Sequence, residues 1–132
     1  MHERTILITG CTSGNGYCVA RGLRERGNRV FATARKHADV ERLTAEGLES
    51  LPLDLDVSAS SAAAVAESLE RTGYRLDAVL HNGAYSQPGA VEVLRRDVLR
   101  RQFETNLFGW HELNNLVLPV MRAQGHGRII FN

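Results

Sequence analysis

The chain has 132 residues, a length that suits a single domain. Hydrophobic residues make up 43% of it and charged residues 23%, which is close to the globular average and excludes extensive disorder. Sixteen Lys and Arg against fifteen Asp and Glu leave a formal net charge of +1, so there is no basic field for a phosphate backbone and no nucleic-acid partner is expected.

The composition also argues against membranes, disulfides and metals. No run approaches the roughly 18 apolar residues of a membrane span, and residues 1–10 lack the apolar segment and cleavage site of a secretory signal. Cys11 and Cys18 do not make a disulfide framework, and the five histidines show no metal-ligand spacing. We therefore expect a cytoplasmic protein with no bound metal and no membrane partner.

The first half of the chain alternates short apolar runs with stretches of helical spacing. The β-branched run 5–9 predicts a strand buried on both faces, and Gly10 ends it. After it the pattern predicts, in chain order, a helix at 16–27, a strand at 29–33, a short helix at 39–46 and a strand at 48–53.

The second half continues this alternation. The pattern predicts a helix from the caps at 58–61 to about 72, a strand at 77–81, a loop at 82–90, a long helix from about 96 to 124 and a strand at 128–131. Pro119 lies inside the last helix and is expected to end or kink it. The alternation of strands and helices predicts a doubly wound, three-layer α/β/α fold with a parallel sheet of five strands.

Three glycines, at positions 10, 14 and 16, follow the first strand. Without a Cβ they let the backbone turn sharply and approach a pyrophosphate, and the N–H groups at the start of the next helix face the anion. Thr12 and Ser13 add hydroxyl donors. A tight turn without a ligand is the alternative interpretation, but the strand and helix that a nucleotide-binding loop requires are both predicted here.

The second predicted strand ends in Thr33-Ala34-Arg35-Lys36, with no acidic residue. Sites that select NAD place an acid near this point for the ribose 2′-hydroxyl, whereas sites that select NADP place an arginine. The Arg35 guanidinium suits a 2′-phosphate through charge-assisted hydrogen bonds. The sequence thus favours NADP(H) over NAD(H), and the alternative is a solvated basic turn.

The spacing Gly-x-x-x-Gly-x-Gly resembles that of the short-chain dehydrogenase/reductase family, and the likeness continues along the chain. Asp54-Leu55 resembles the family's adenine-binding pair, 81–84 its Asn-Asn-Ala-Gly signature, and Asn106 the asparagine of its long helix. The segments 82–92 and 106–109 are similar to the hydroxysteroid- and retinol-dehydrogenase-like branch.

The resemblance implies a Rossmann-type domain over 1–132 with strand order 3-2-1-4-5, which transfers hydride between NADP(H) and an alcohol or carbonyl substrate. It also implies a homo-oligomer formed through the 96–124 helix. Asn106 is the implied catalytic residue, since the family's asparagine helps to hold a proton-relay water. The residues expected to bind the cofactor are Gly10, Thr12, Ser13, Gly14, Asn15, Gly16, Arg35, Asp54, Leu55, Asn82, Gly83 and Ala84.

Several residues depart from the family's pattern. Asn15 takes a position that is usually apolar, Gly83 and Ala84 exchange the usual order of the small pair, and His81 replaces an asparagine, which is expected to cost a hydrogen bond that bridges the sheet. Asp56 stays an alternative to Asp54 at the adenine, because residues two apart face the same side of a strand.

The family's mechanism needs a serine and a Tyr-x-x-x-Lys pair. The one lysine is Lys36, and position 32 is alanine, so this pair is absent from the sequence. We therefore expect the chain to be a truncated, cofactor-binding portion that is inactive and poorly soluble alone. The alternative is a non-catalytic dinucleotide-binding or regulatory module; a methyltransferase is disfavoured by the loop spacing and by Arg35.

Overall fold

Five strands alternate with helices in the computed structural model, which describes residues 3–132. The strands are β1 (Thr5–Ile8), β2 (Arg29–Ala34), β3 (Glu49–Pro52), β4 (Ala78–His81) and β5 (Arg128–Phe131). The α-helices are α1 (Gly14–Glu25), α2 (His37–Ala45), α3 (Ser58–Arg71), α4 (Arg96–Phe103) and α5 (Gly109–Gln124). A 3₁₀ turn covers Val91–Val93, and a π-helical segment covers Glu104–Phe108.

The strands form one parallel sheet in the order β3-β2-β1-β4-β5, which confirms the predicted topology. Leu7 of β1 is in register with Phe31 of β2 and with Val79 of β4. The chain moves outward from β1 to β3 and then returns to place β4 on the other side of β1. The carboxyl ends of β1 and β4 therefore flank the crevice where doubly wound sheets bind their ligands.

The core lies on both faces of the sheet. Ile6 and Ile8 of β1 belong to the cluster under α1 and α2, while Leu7 between them belongs to the cluster under α3 and α5. This division follows from the period of two along a strand. Because both faces are covered, all four residues of β1 are buried, and three of them, Ile6, Leu7 and Ile8, are apolar.

The long helix predicted for 96–124 is divided in the structure. The N–H of Gly109 donates to the carbonyl of Glu104, five residues earlier, which is the π-helical spacing. The helix does not end at Pro119, since α5 continues to Gln124. Val117 before the proline and Met121 after it are both buried in the core.

Apolar residues recur at helical spacing along this region, in a stripe that also divides at the π-helical segment: Phe103, Leu107, Trp110, Leu113 and Leu116. Leu113 is fully buried, whereas the side chains of Phe103 and Leu107 are 53% and 50% exposed. Only the α5 part of the stripe is therefore core. Within residues 3–132, no helix is long and apolar enough to cross a membrane.

Candidate functional site

A cleft of about 500 Å³ opens at the carboxyl edge of the sheet. It brings together the loops that follow β1, β3 and β4, the end of β2, and the π-helical segment. Eight of the twelve residues expected to bind a cofactor line it: Gly10, Thr12, Ser13, Arg35, Asp54, Leu55, Gly83 and Ala84. Asp56, the alternative to Asp54, lines it as well, together with four residues that were not predicted from the sequence: Thr9, Leu53, Tyr85 and Thr105.

The glycine loop after β1 depends on very close approach of backbone segments. A Cβ added to Gly16 would lie 2.4 Å from the carbonyl oxygen of Gly10, and one added to Gly10 would lie 2.6 Å from the Cα of Gly83. Gly10 and Gly14 also have positive φ angles of 69° and 61°, which residues other than glycine rarely adopt. Gly14 and Gly16 do not line the cleft but set the path of the residues that do.

The start of α1 carries no side-chain cap. Ser13 occupies the N-cap position in an extended conformation, and its hydroxyl makes no capping hydrogen bond. The first turn of α1 also has no acidic residue. Such a helix start leaves N–H groups and the positive end of the helix dipole available to an anion.

Thr9 and Asn82 connect the loops after β1 and β4. The hydroxyl oxygen of Thr9 accepts hydrogen bonds from the N–H groups of Asn82 and Gly83, at 3.0 and 2.8 Å. The Asn82 amide in turn donates to the carbonyl oxygens of Thr9 and Gly10, at 3.2 and 2.9 Å, and its own oxygen accepts from Asn132. The Asn82 side chain thus fixes the glycine loop and does not line the cleft.

Two carboxylates, Asp54 and Asp56, line the cleft beyond β3. The Asp54 carboxylate accepts a hydrogen bond of 3.1 Å from the N–H of Asp56, within its own turn. The Asp56 carboxylate accepts one from the hydroxyl of Thr105 in the π-helical segment. The structure brings both candidates for the adenine position to the same cleft.

Arg35 is exposed and lies at the edge of the cleft that holds Thr12 and Ser13. Its guanidinium has no ion pair or hydrogen bond with any group of residues 3–132. Lys36 occupies the N-cap position of α2 and does not line the cleft, and Ala34 is only 1% exposed. The residue directly after β2 therefore places a guanidinium at the edge of the cleft.

Asn106 lies in the π-helical segment, a feature that is frequent at functional sites. Its side-chain oxygen accepts from the N–H of Tyr85 at 3.2 Å, and its amide donates to the carbonyl of Tyr85 at 2.8 Å. These two bonds hold the loop after β4 against the helix. Asn106 does not line the cleft, although its neighbours Tyr85 and Thr105 do.

His81 is fully buried below the loop after β4. Its ring stacks on Phe131 and on Trp110, with centroids 4.9 and 5.3 Å away, and its Nε2 lies 2.8 Å from the side-chain oxygen of Asn114. Since that oxygen accepts, Nε2 carries the hydrogen, and Nδ1 has no hydrogen-bond partner among residues 3–132. Burial lowers the pKa of His81, and the bond to Asn114 opposes this shift.

Cys11 lies in the glycine loop but is not a reactive thiolate. Burial raises the pKa of its thiol to about 12, and its Sγ donates to the carbonyl oxygen of Ile8 at 3.4 Å. The side chain is a small filler of the core. Among residues 3–132, no group of three or more His, Cys, Asp or Glu side chains is placed to hold a metal ion; His2 lies outside the described residues.

Known proteins match this chain over almost its whole length. The family model for short chain dehydrogenases matches residues 4–132. The "Uncharacterized oxidoreductase YbbO" of Escherichia coli K12 is 35% identical over 128 residues, which cover 97% of this chain and 48% of that protein. Rat "Retinol dehydrogenase 7" is 33% identical, over 98% of this chain and 42% of its own length. The chain thus spans about half the length of the curated relatives it matches.

Solved structures show the same likeness. A short-chain dehydrogenase from Streptomyces avermitilis superposes with a TM-score of 0.91 at 31% identity, over 98% of this chain and 49% of that one. A variant of actinorhodin polyketide ketoreductase, crystallised with NADPH, superposes with a TM-score of 0.90 at 31% identity, over 98% and 52% of the two chains. The five-stranded architecture is therefore that of these proteins over the matched half.

Proposed function

The chain belongs to the short-chain dehydrogenase family, and we propose that it is the cofactor-binding part of an NADP(H)-dependent oxidoreductase that acts on an alcohol or carbonyl substrate. One observation carries the proposal: the cleft between β1 and β4 combines a glycine loop, an uncapped helix start and an arginine that has no acidic partner among residues 3–132. When bound, the nicotinamide would exchange a hydride with the carbonyl carbon of the substrate.

Different residues of the cleft would bind different parts of the dinucleotide. The start of α1, with the Thr12 and Ser13 hydroxyls, would bind the pyrophosphate, because N–H and O–H donors there have no competing cap. Asp54 or Asp56 would accept from the adenine amino group. Gly83 and Ala84, which are too small to fill the cleft, would leave room for the nicotinamide end.

Arg35 supports the choice of NADP(H). A guanidinium binds a phosphate through two parallel charge-assisted hydrogen bonds, whereas it offers no acceptor to a ribose hydroxyl. No carboxylate pairs with Arg35 in the part of the chain that the structure describes, so its charge is not neutralised beside the cleft. The NADPH in the related ketoreductase agrees with this assignment.

Asn106 is proposed to support the proton transfer that accompanies the hydride transfer. Its side chain is committed to Tyr85, so it would order the loop at the mouth of the cleft and, through that loop, a proton-relay water. The serine, tyrosine and lysine of the family's mechanism are not assigned to any residue here.

Titration with NADPH and NADH tests the proposal. The wild-type chain is expected to bind NADPH more tightly, and Arg35→Ala is expected to lower its NADPH affinity about ten- to a hundredfold while NADH affinity stays the same. Arg26→Ala is the matched control, because Arg26 is also exposed but lies at the far end of α1. Equal affinities for the two cofactors in the wild type, or an unchanged Arg35→Ala variant, would refute the assignment.

A further inference from the structure

The glycine loop is held from outside the cleft by a side chain of α2. The guanidinium of Arg42 donates from Nη2 to the carbonyl oxygen of Thr12 at 2.6 Å. The two residues are 30 positions apart, so this contact joins α2 to the loop after β1. Thr12 lines the cleft at the proposed pyrophosphate position.

Arg42 is itself fixed in this position by two neighbours. Glu46, at the end of α2, accepts from Arg42 at 3.0 Å with one carboxylate oxygen and from the Tyr17 hydroxyl at 2.6 Å with the other. The guanidinium carbon of Arg42 lies 5.8 Å from the centre of the Tyr17 ring. We call Arg42, Glu46 and Tyr17 the outer brace; it joins α2, the start of α1 and the glycine loop.

The direction of the Thr12 carbonyl matters to an anion. In a trans peptide unit the C=O and the N–H point in opposite directions, so a Thr12 carbonyl turned toward Arg42 sends the Ser13 N–H the other way. A carbonyl turned into the cleft would instead present its negative end to the pyrophosphate. We propose that Arg42 is a positioning residue for dinucleotide binding, which acts by holding the Thr12–Ser13 peptide in the orientation that accepts the pyrophosphate.

The charges around Arg42 separate this role from that of Arg35. Arg42 is paired with Glu46 at 3.0 Å and lies 3.7 Å from Asp39, so its own charge is balanced within α2. Arg35 has no such partner among residues 3–132. Arg42 should therefore act on the pyrophosphate, which NADPH and NADH share, and Arg35 on the 2′-phosphate, which only NADPH carries.

This inference rests on the proposed function, and three probes distinguish the two: NADPH, NADH and adenosine 2′-monophosphate, which lacks the pyrophosphate. Arg42→Gln is expected to lower the affinities for NADPH and NADH by the same factor, about three- to tenfold for a partly exposed charge-assisted bond. The affinity for adenosine 2′-monophosphate is expected to stay unchanged. Arg21→Gln is the matched control, since Arg21 contacts the same Tyr17 ring at 5.8 Å but not the loop.

The outcomes separate cleanly when binding is measured well below the melting temperature of each variant. Equal losses for the two dinucleotides, with Arg21→Gln unchanged, support the inference. A lowered melting temperature with unchanged affinities would make Arg42 purely structural, and a loss confined to NADPH and adenosine 2′-monophosphate would make it a phosphate ligand; either result overturns the inference. A wild-type chain that binds none of the probes would instead overturn the proposed function, and this inference with it.

Discussion

Replacing Gly16 by alanine tests the close packing of the glycine loop most directly. The added Cβ would lie 2.4 Å from the carbonyl oxygen of Gly10, whereas Cβ contacts under 3.0 Å are essentially never seen, so one of the two must move by about 0.6 Å. The same Cβ would lie 2.5 Å from the Asn82 amide nitrogen, which itself donates to Gly10. The loop therefore has little room in which to yield.

Gly22→Ala is the matched control, because Gly22 lies in the same helix and a Cβ there meets nothing within 4 Å. The control is expected to gain roughly 0.5–1 kcal/mol of stability from helix propensity. Gly16→Ala gains part of the same helix propensity, but its added Cβ overpacks the loop, which lowers the free energy of unfolding by about 1–3 kcal/mol. The free energy of unfolding should thus be lower in Gly16→Ala than in Gly22→Ala by about that cost.

Urea unfolding of both variants and titration with NADPH measure the two consequences. Gly16→Ala is expected to bind NADPH at least about tenfold more weakly, because a misplaced loop loses hydrogen bonds to a charged group. Gly22→Ala should bind like the wild type. Equal stability and equal affinity in the two variants would refute the reasoning, since the loop would then tolerate the displacement.

Other substitutions test other parts of the structure. Gly14→Val should abolish NADPH binding in titration, because φ is +61° there and a β-branched residue cannot hold that angle; full binding by a folded variant would contradict this. Burial lowers the pKa of His81, so the unfolded chain binds a proton more readily than the folded chain, and stability is lost as the pH falls below the ordinary pKa of 6.5. The urea midpoint of the wild type should therefore fall with pH in this range, and that of His81→Gln should fall less. Burial raises the pKa of Asp77, but hydrogen bonds from Thr5, His126 and Arg75 outweigh this effect and hold the pKa below its ordinary value. Asp77→Asn should therefore lower the melting temperature and reduce the loss of melting temperature at acid pH. An unchanged acid profile would show that Asp77 does not cause this loss. The 132-residue polypeptide should show no reductase activity, because its sequence has no Tyr-x-x-x-Lys pair, and it should associate in size-exclusion chromatography, because Phe103 and Phe131 are 53% and 57% exposed. An active monomer would contradict both expectations.

The element order and the position of the glycine loop could be predicted from the sequence because both are local properties. A β-branched run that ends at Gly10 specifies a buried strand followed by a sharp turn, and the structure has β1 and the turn at these residues. Arg35 at the edge of the cleft was predictable for the same reason, since the carboxyl end of β2 must reach the edge shared with β1.

The partners of each side chain were decided only by the tertiary structure. Asn82 has a binding signature in the sequence, yet its amide bonds to Thr9 and Gly10, more than 70 positions away, and does not line the cleft. The bond from Arg42 to Thr12 has no sequence signal at all. Periodicity and composition report whether a residue is buried and where the chain turns, but the direction of a polar side chain depends on which distant backbone groups the packing of the sheet and helices brings within hydrogen-bonding distance.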